Sequence, residues 1–118
     1  MAEVYLAKDT ETERAVVLKV FPSRLIEEPR IRSRFLKIYS GIPAIRHPNL
    51  CQTYEGKVGE GNRPYVALEY VKGQSFDKLS ARKQMPLKEV TATALQITGA
   101  LSAAHAAGWL HLALKPSN

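Results

Sequence analysis

The chain has 118 residues, 45% of them hydrophobic, 24% charged and 8% aromatic, which excludes a disordered tail and fits one soluble globular domain. Seventeen lysines and arginines against eleven acids give a net charge of +6, so partners of negative charge enter the reckoning at once. A single cysteine, Cys51, excludes an internal disulfide framework. No apolar run approaches the roughly 18 residues of a membrane span, and the opening MAEVYLAKDT is no signal peptide, so a cytoplasmic chain without a membrane segment is expected.

Glu3 to Lys8 alternates, with Val4 and Leu6 on one face, which predicts a half-buried strand. Asp9 to Glu13 is polar turn material, and the β-branched run from Arg14 to Phe21 predicts the second strand of a hairpin. Pro22 closes it. Pro29 suits the first turn of a helix, and Ile31, Phe35, Ile38 and Tyr39 then make a helical stripe that Gly41 and Pro43 stop. Leu50–Val58 and Pro64–Val71 read as two more strands around a hairpin loop at Gly59-Glu60-Gly61-Asn62. Ser75 is placed to cap a helix running to about Lys83. The longest helix starts at Pro86, with Leu87, Val90, Ala94, Ile97, Leu101 and His105 stepping by three and four, and Gly108 ends it. The order predicts an α+β fold: an antiparallel sheet with one inserted helix, followed by a helical part.

The basic excess gathers between Arg24 and Arg46, where Arg24, Arg30, Arg32, Arg34, Lys37 and Arg46 face only Glu27 and Glu28. A small basic nucleic-acid-binding protein is one reading of that cluster. No aromatic platform or zinc spacing accompanies it, so a solvated helix face is preferred and nucleic acid is disfavoured as a partner. Cys51, beside Leu50 on a predicted strand, reads as a buried apolar filler rather than a nucleophile. His105 falls on a helix stripe and is not read as a metal ligand.

Six segments in this order carry a resemblance: AEVYLAKD, VVLKV, RHPNL, RPYVALEYVKGQSF, ALSAAHAAGWLH and HLALKPSN. They resemble the protein kinase domain of bacterial-type serine/threonine kinases, and the similarity spans essentially the whole chain. It implies a kinase-like small lobe over residues 1–71. Residues 72–118 would then hold the hinge, two helices and the start of the catalytic loop. On that resemblance the chain enters inside the glycine-rich loop and leaves at Asn118, about half of a kinase fold. Ala2 falls where the last loop glycine stands, and Met1 is read as an internal family position.

The resemblance assigns the ATP site to Val4, Lys19, Glu69, Val71, Lys115 and Asn118. Val4 would cover the adenine and Lys19 would contact the phosphates. Leu68 matches the gatekeeper, and the main chain of Glu69 and Val71 would meet the adenine edge. Asn118 would hold magnesium, and Lys115 suggests serine/threonine ancestry. Several positions depart from the pattern. Val17 replaces a small alanine beside the adenine. Ile38 stands where a glutamate should orient Lys19, and stripping one member from a buried ion pair costs about 3–5 kcal/mol, so Lys19 is expected to be solvated or paired elsewhere, with Glu27 and Glu28 as substitutes.

The terminal motif departs most. His111, Leu114, Lys115 and Asn118 match H-R-D-L-K-x-x-N, but Leu112 replaces the arginine and Ala113 the aspartate that orients and deprotonates the substrate hydroxyl. Losing such a base forfeits about 10²–10⁴-fold in rate. The resemblance therefore points to a catalytically inactive kinase-like chain, a pseudokinase. ATP and magnesium would be bound weakly or not at all, and a protein-interaction role is open to it. A partial piece of an active ATP-dependent serine/threonine kinase is the alternative. The apolar face of helix 86–107 is expected to be exposed and to favour self-association.

Overall fold

Asp9 sets the first hairpin. Its carboxylate accepts the N–H groups of Glu11 (2.9 Å) and Thr12 (3.1 Å), and its own N–H donates to the Arg14 carbonyl at 2.8 Å. Glu13 takes up the left-handed backbone (φ 60°) needed to reverse the chain. β1 (Glu3–Lys8) and β2 (Ala15–Val20) thereby pair antiparallel, as the sequence predicts. The computed structural model in which this is seen describes residues 2–82 and 84–118. The expectations placed on Met1 and on the Lys83 helix end lie outside those described residues.

α1 (Pro29–Gly41) follows a 3₁₀ turn at Ser23–Ile26, with Pro29 opening it as expected. β3 (Thr53–Val58) and β4 (Pro64–Glu69) form the second hairpin, and the four strands lie in the order β1-β2-β4-β3, all antiparallel. The hairpin loop is a 3₁₀ turn at Glu60–Asn62, where Gly61 (φ 63°) and Asn62 (φ 57°) supply the two left-handed residues. β3 is shorter than the predicted Leu50–Val58. Leu50 closes a turn by donating its N–H to His47 at 3.0 Å, and a register shift between Thr53 and Glu55 marks where pairing begins. β4 likewise stops at Glu69 rather than running to Val71.

The chain divides into two units. The first holds the residues up to Arg46 with Cys51–Tyr70, and the second His47–Leu50 with Val71–Asn118. The core of the first unit is Ile26, Phe35 and Val66, all buried, with Phe21, Tyr39, Val58 and Leu68 packed against them. Phe35 meets Phe21 edge-on at 6.3 Å between ring centroids and Tyr39 at 4.7 Å. Tyr39 also presses on Gly56, where an added Cβ would stand 2.6 Å from its Cγ. Ile31, assigned to the same stripe, is exposed instead, because α1 turns only its Phe35–Tyr39 side to the sheet. Val4 and Leu6 are also more open than expected, at 61% and 67% exposure. β1 is an edge strand, and α1 covers this face of the sheet only over β3 and β4, on the far side from β1.

The second unit contains α2 (Phe76–Arg82) and α3 (Leu87–Ala106). α3 buries its small residues, Ala100 and Ala104, while Leu87, Val90, Leu95 and Ile97 are exposed, so the expected apolar face is largely uncovered. His47 lies 3.7 Å from the space a Cβ at Gly99 would occupy. No described helix is long and apolar enough to cross a membrane.

Cys51 departs from its expected buried place and is exposed. The loop before β3 runs along the sheet edge, and only the thiol is shielded: it donates to the Glu69 carbonyl at 3.5 Å. Desolvation first, and the Glu69 carboxylate second, push its pKa up, while the Lys19 charge acts in the opposite sense. Alkylation of Cys51 by iodoacetamide at neutral pH is therefore expected to run slower than that of a free cysteine peptide, with its rate still rising at pH values where the peptide has levelled off; an equal rate would contradict this. Gly56→Val is expected to destabilise the chain by about 1–3 kcal/mol, read as a fall of several degrees in Tm, because Tyr39 and the strand cannot both give way. Gly73→Ala, with nothing within 4 Å, is the neutral control.

Candidate functional site: the open half of the sheet and the terminal loop

Strand register decides which side chains of the first unit share a face. Val4 lies opposite Lys19 and Leu6 opposite Val17 across β1–β2, while Val66 flanks Lys19 and Leu68 flanks Val17 across β2–β4. Alternation along each strand puts these six on one side of the sheet. Val66 is buried beneath Phe35 and Ile26, so the β4 half of this face is covered by α1. Over β1 and β2 it stays open, with exposed Val4 and Leu6 beside Val17 and the exposed Lys19. The resemblance implies one site for Val4 and Lys19, and the register makes them direct cross-strand neighbours.

The ammonium of Lys19 makes no ion pair among the described residues. Ile38 is a half-buried apolar residue of α1, and neither Glu27 nor Glu28 takes part in an ion pair. Of the two states expected for Lys19, the side chain is solvent-exposed rather than paired with Glu27 or Glu28. Lys19 is free to meet an anion from solution.

Glu69, at the end of β4, is fixed by its neighbours. Its N–H donates to the Gln52 carbonyl at 2.7 Å, and its carboxylate accepts the Gln52 N–H at 3.0 Å. The Gln52 side chain in turn donates to the carbonyls of Pro43 (3.0 Å) and Thr53 (2.8 Å), clamping the chain ahead of β3 to the strand end. Gln52 is a positioning residue without a sequence signal, since a lone glutamine before a strand carries no pattern.

In the second unit the segment from His111 to Asn118 is folded on itself. Ala113 donates its N–H to the His111 carbonyl at 2.8 Å, with His111 Nδ1 at 3.3 Å. The Asn118 amide donates to the Ala113 carbonyl at 2.6 Å, and the Pro116 carbonyl accepts the Asp77 N–H of α2 at 3.1 Å. Leu112 sits in the left-handed region (φ 57°) and is 87% exposed. A leucine there is strained by the order of 1 kcal/mol and has nothing to pack on. Lys115 and Val71 are exposed as well.

These residues differ in how well they fit a nucleotide and its metal. An open strip of valine and leucine beside a free ammonium suits an apolar ring joined to phosphates. For a cation, Asn118 offers its side-chain oxygen, left uncommitted because its amide N–H group donates to Ala113, and among the described residues no cluster of three histidines, cysteines or acids adds to it.

Comparison with known proteins bears on all of this. The family model described as "Protein kinase domain" matches residues 1–118. The serine/threonine-protein kinase pkn3 of Myxococcus xanthus is 33% identical over 120 residues, which cover 100% of this chain and 22% of that protein. Serine/threonine-protein kinase PknB of Mycobacterium tuberculosis is 30% identical over 122 residues, covering 100% and 20%. The crystal structure of the PknI kinase domain of Mycobacterium tuberculosis superposes with a TM-score of 0.86 at 26% identity, over 100% of this chain and 48% of that one. The chain thus spans about a fifth of these curated relatives and about half of the solved kinase domain. The family model spans the whole chain, and the chain belongs to the protein kinase domain family; the relatives named above are bacterial serine/threonine-protein kinases.

Proposed function

We propose that this chain is a serine/threonine kinase-like region that does not transfer phosphate, and that its open β1–β2 face holds a nucleotide weakly. The observation that carries the first part is Ala113. Phosphoryl transfer asks the protein to place phosphates, metal and hydroxyl in line, and the catalytic-loop aspartate is the group that orients and deprotonates the hydroxyl. A methyl group does neither. The loop around it keeps its internal hydrogen bonds, from Ala113 to His111 and from Asn118 to Ala113, so a folded loop presents no base.

Two further residues point the same way. Leu112 holds the left-handed backbone of its position without the guanidinium that would bind a phosphate. Ile38 leaves Lys19 without the carboxylate that would aim it. Weak nucleotide binding rests on Val4, Leu6, Val17 and Lys19, with the adenine on the apolar strip and the Lys19 ammonium on a phosphate. Val17 crowds that strip by two methyl groups relative to alanine and lowers the affinity. Binding, rather than catalysis, is then the activity left to this region, and protein interaction is the use it would serve.

Incubation of the intact chain with radiolabelled ATP, magnesium and a general acceptor protein is expected to give no incorporation above a no-protein control; incorporation above it would overturn the inactive reading. Titration with ATP and magnesium is expected to raise Tm by a few degrees only at millimolar nucleotide, since stabilisation grows as RT ln(1 + [L]/Kd). Lys19→Ala is expected to remove that shift while leaving the Tm without nucleotide unchanged. A shift that survives the substitution would move the phosphates away from Lys19.

A further inference from the structure

Helix α1 carries Arg30, Arg32, Arg34 and Lys37 and no acidic residue between Pro29 and Gly41. Arg32 is engaged, its guanidinium donating to the side-chain oxygen of Asn62. Arg30, Arg34 and Lys37 are exposed, and among the described residues none makes an ion pair. Many cations on the sheet are partnered: Lys8 with Glu13, Lys57 with Glu55, Arg63 with Glu3, and Arg14 over the Tyr54 ring at 5.7 Å. Glu27 and Glu28, just ahead of the helix, pair with none of the three.

Positions 30, 34 and 37 are four and three apart and form a single stripe, turned away from the Phe35–Tyr39 side that packs on the sheet. The stripe costs the helix stability. Like charges four apart repel, and a cation in the first turn, where no acid balances it, opposes the helix dipole. An anion lying along it would relieve both penalties at once.

The geometry also narrows the anion. From Arg30 to Lys37 the stripe runs about 10 Å along the axis, with its cations about 5–6 Å apart. A phosphate is gripped by donors converging on one point, whereas these three are spread in a row. Anionic membranes are read by clusters of about four to eight cations, and duplex DNA by about six to ten phosphate contacts. Three spaced cations match a row of single carboxylates. Exposed Ile31 and Leu36 flank the stripe and offer apolar contact to the same partner.

We propose that the Arg30–Arg34–Lys37 stripe of α1 binds an acidic peptide segment whose carboxylates pair one to one with the three cations. This surface does not depend on nucleotide binding or on the fate of the catalytic loop.

Fluorescence anisotropy with the intact chain at low ionic strength tests it. The probe is a labelled helical peptide with glutamates spaced four and three apart. Saturable binding that weakens at least tenfold in R30E/R34E/K37E, and far less in K72E/K78E/K88E of the same net charge, is the expected result. Equal losses in both triple variants would reduce the effect to net charge and overturn the proposal. So would absence of binding, or a matched phosphoserine peptide binding tenfold tighter than the glutamate one. Tighter binding to phosphatidylserine vesicles or to duplex DNA would also overturn it. If far-UV circular dichroism shows the reversed triple to be unfolded, the milder R34Q/K37Q pair is used; a loss of about threefold or more supports the proposal and an unchanged affinity contradicts it.

Discussion

The packing of Phe35 and Tyr39 onto Val66 and Gly56 is the contact on which the rest of the first unit depends. It fixes α1 over β3 and β4, and by doing so leaves the same face bare over β1 and β2. The bare half is where Val4, Leu6, Val17 and Lys19 gather. The same contact turns Arg30, Arg34 and Lys37 outward. One seam therefore sets a covered core, an open apolar strip with a cation, and a basic stripe on the opposite side of the helix. Gly56 is the tight point of that seam, because a side chain there would occupy the space of the Tyr39 ring.

The terminal loop is held by its backbone rather than by the side chains that set its chemistry. The hydrogen bonds that shape the terminal loop involve His111, Ala113 and Asn118, and at position 113 they use only main-chain atoms. Leu112 keeps a left-handed backbone that a leucine has no intrinsic reason to adopt. The loop's shape is thus imposed by its surroundings and not by the residue occupying each place. Lys19 itself is kept but uncommitted, a charge that any anion on the open face can use.

Much of this was legible in the sequence because it rests on local pattern. Alternation gave β1, β-branched residues gave β2, and Pro29 with Gly41 bounded α1 within its own residues. The motif matches ordered the segments correctly because each is a short run whose identity does not depend on distant contacts. The differences between pattern and structure share a cause. Alternation predicts half-burial for Val4 and Leu6, yet periodicity says which residues share a face and not whether anything covers it. Ile31 fits the helical stripe but lies beyond the strip that the sheet can reach. α3 buries Ala100 and Ala104 and exposes several of the larger residues that define its apolar stripe. A cysteine beside a leucine predicts an inside position for Cys51, while the chain there runs along an edge. Gln52, which clamps Glu69, is legible only in three dimensions, since its partners lie 9 and 17 residues away.

The central claim is that function resides on the β1–β2 half of the helix-covered face. Methyl spectra of the valine- and leucine-labelled chain, recorded as ATP is added, test it most directly. Val16 and Leu18 point to the opposite face of the same strand, so they serve as internal controls. Ring-current shifts at the Val4, Leu6 and Val17 methyls, with Val16 and Leu18 unmoved, are the predicted result. Shifts at Val16 and Leu18, or none anywhere at millimolar ATP, would contradict it.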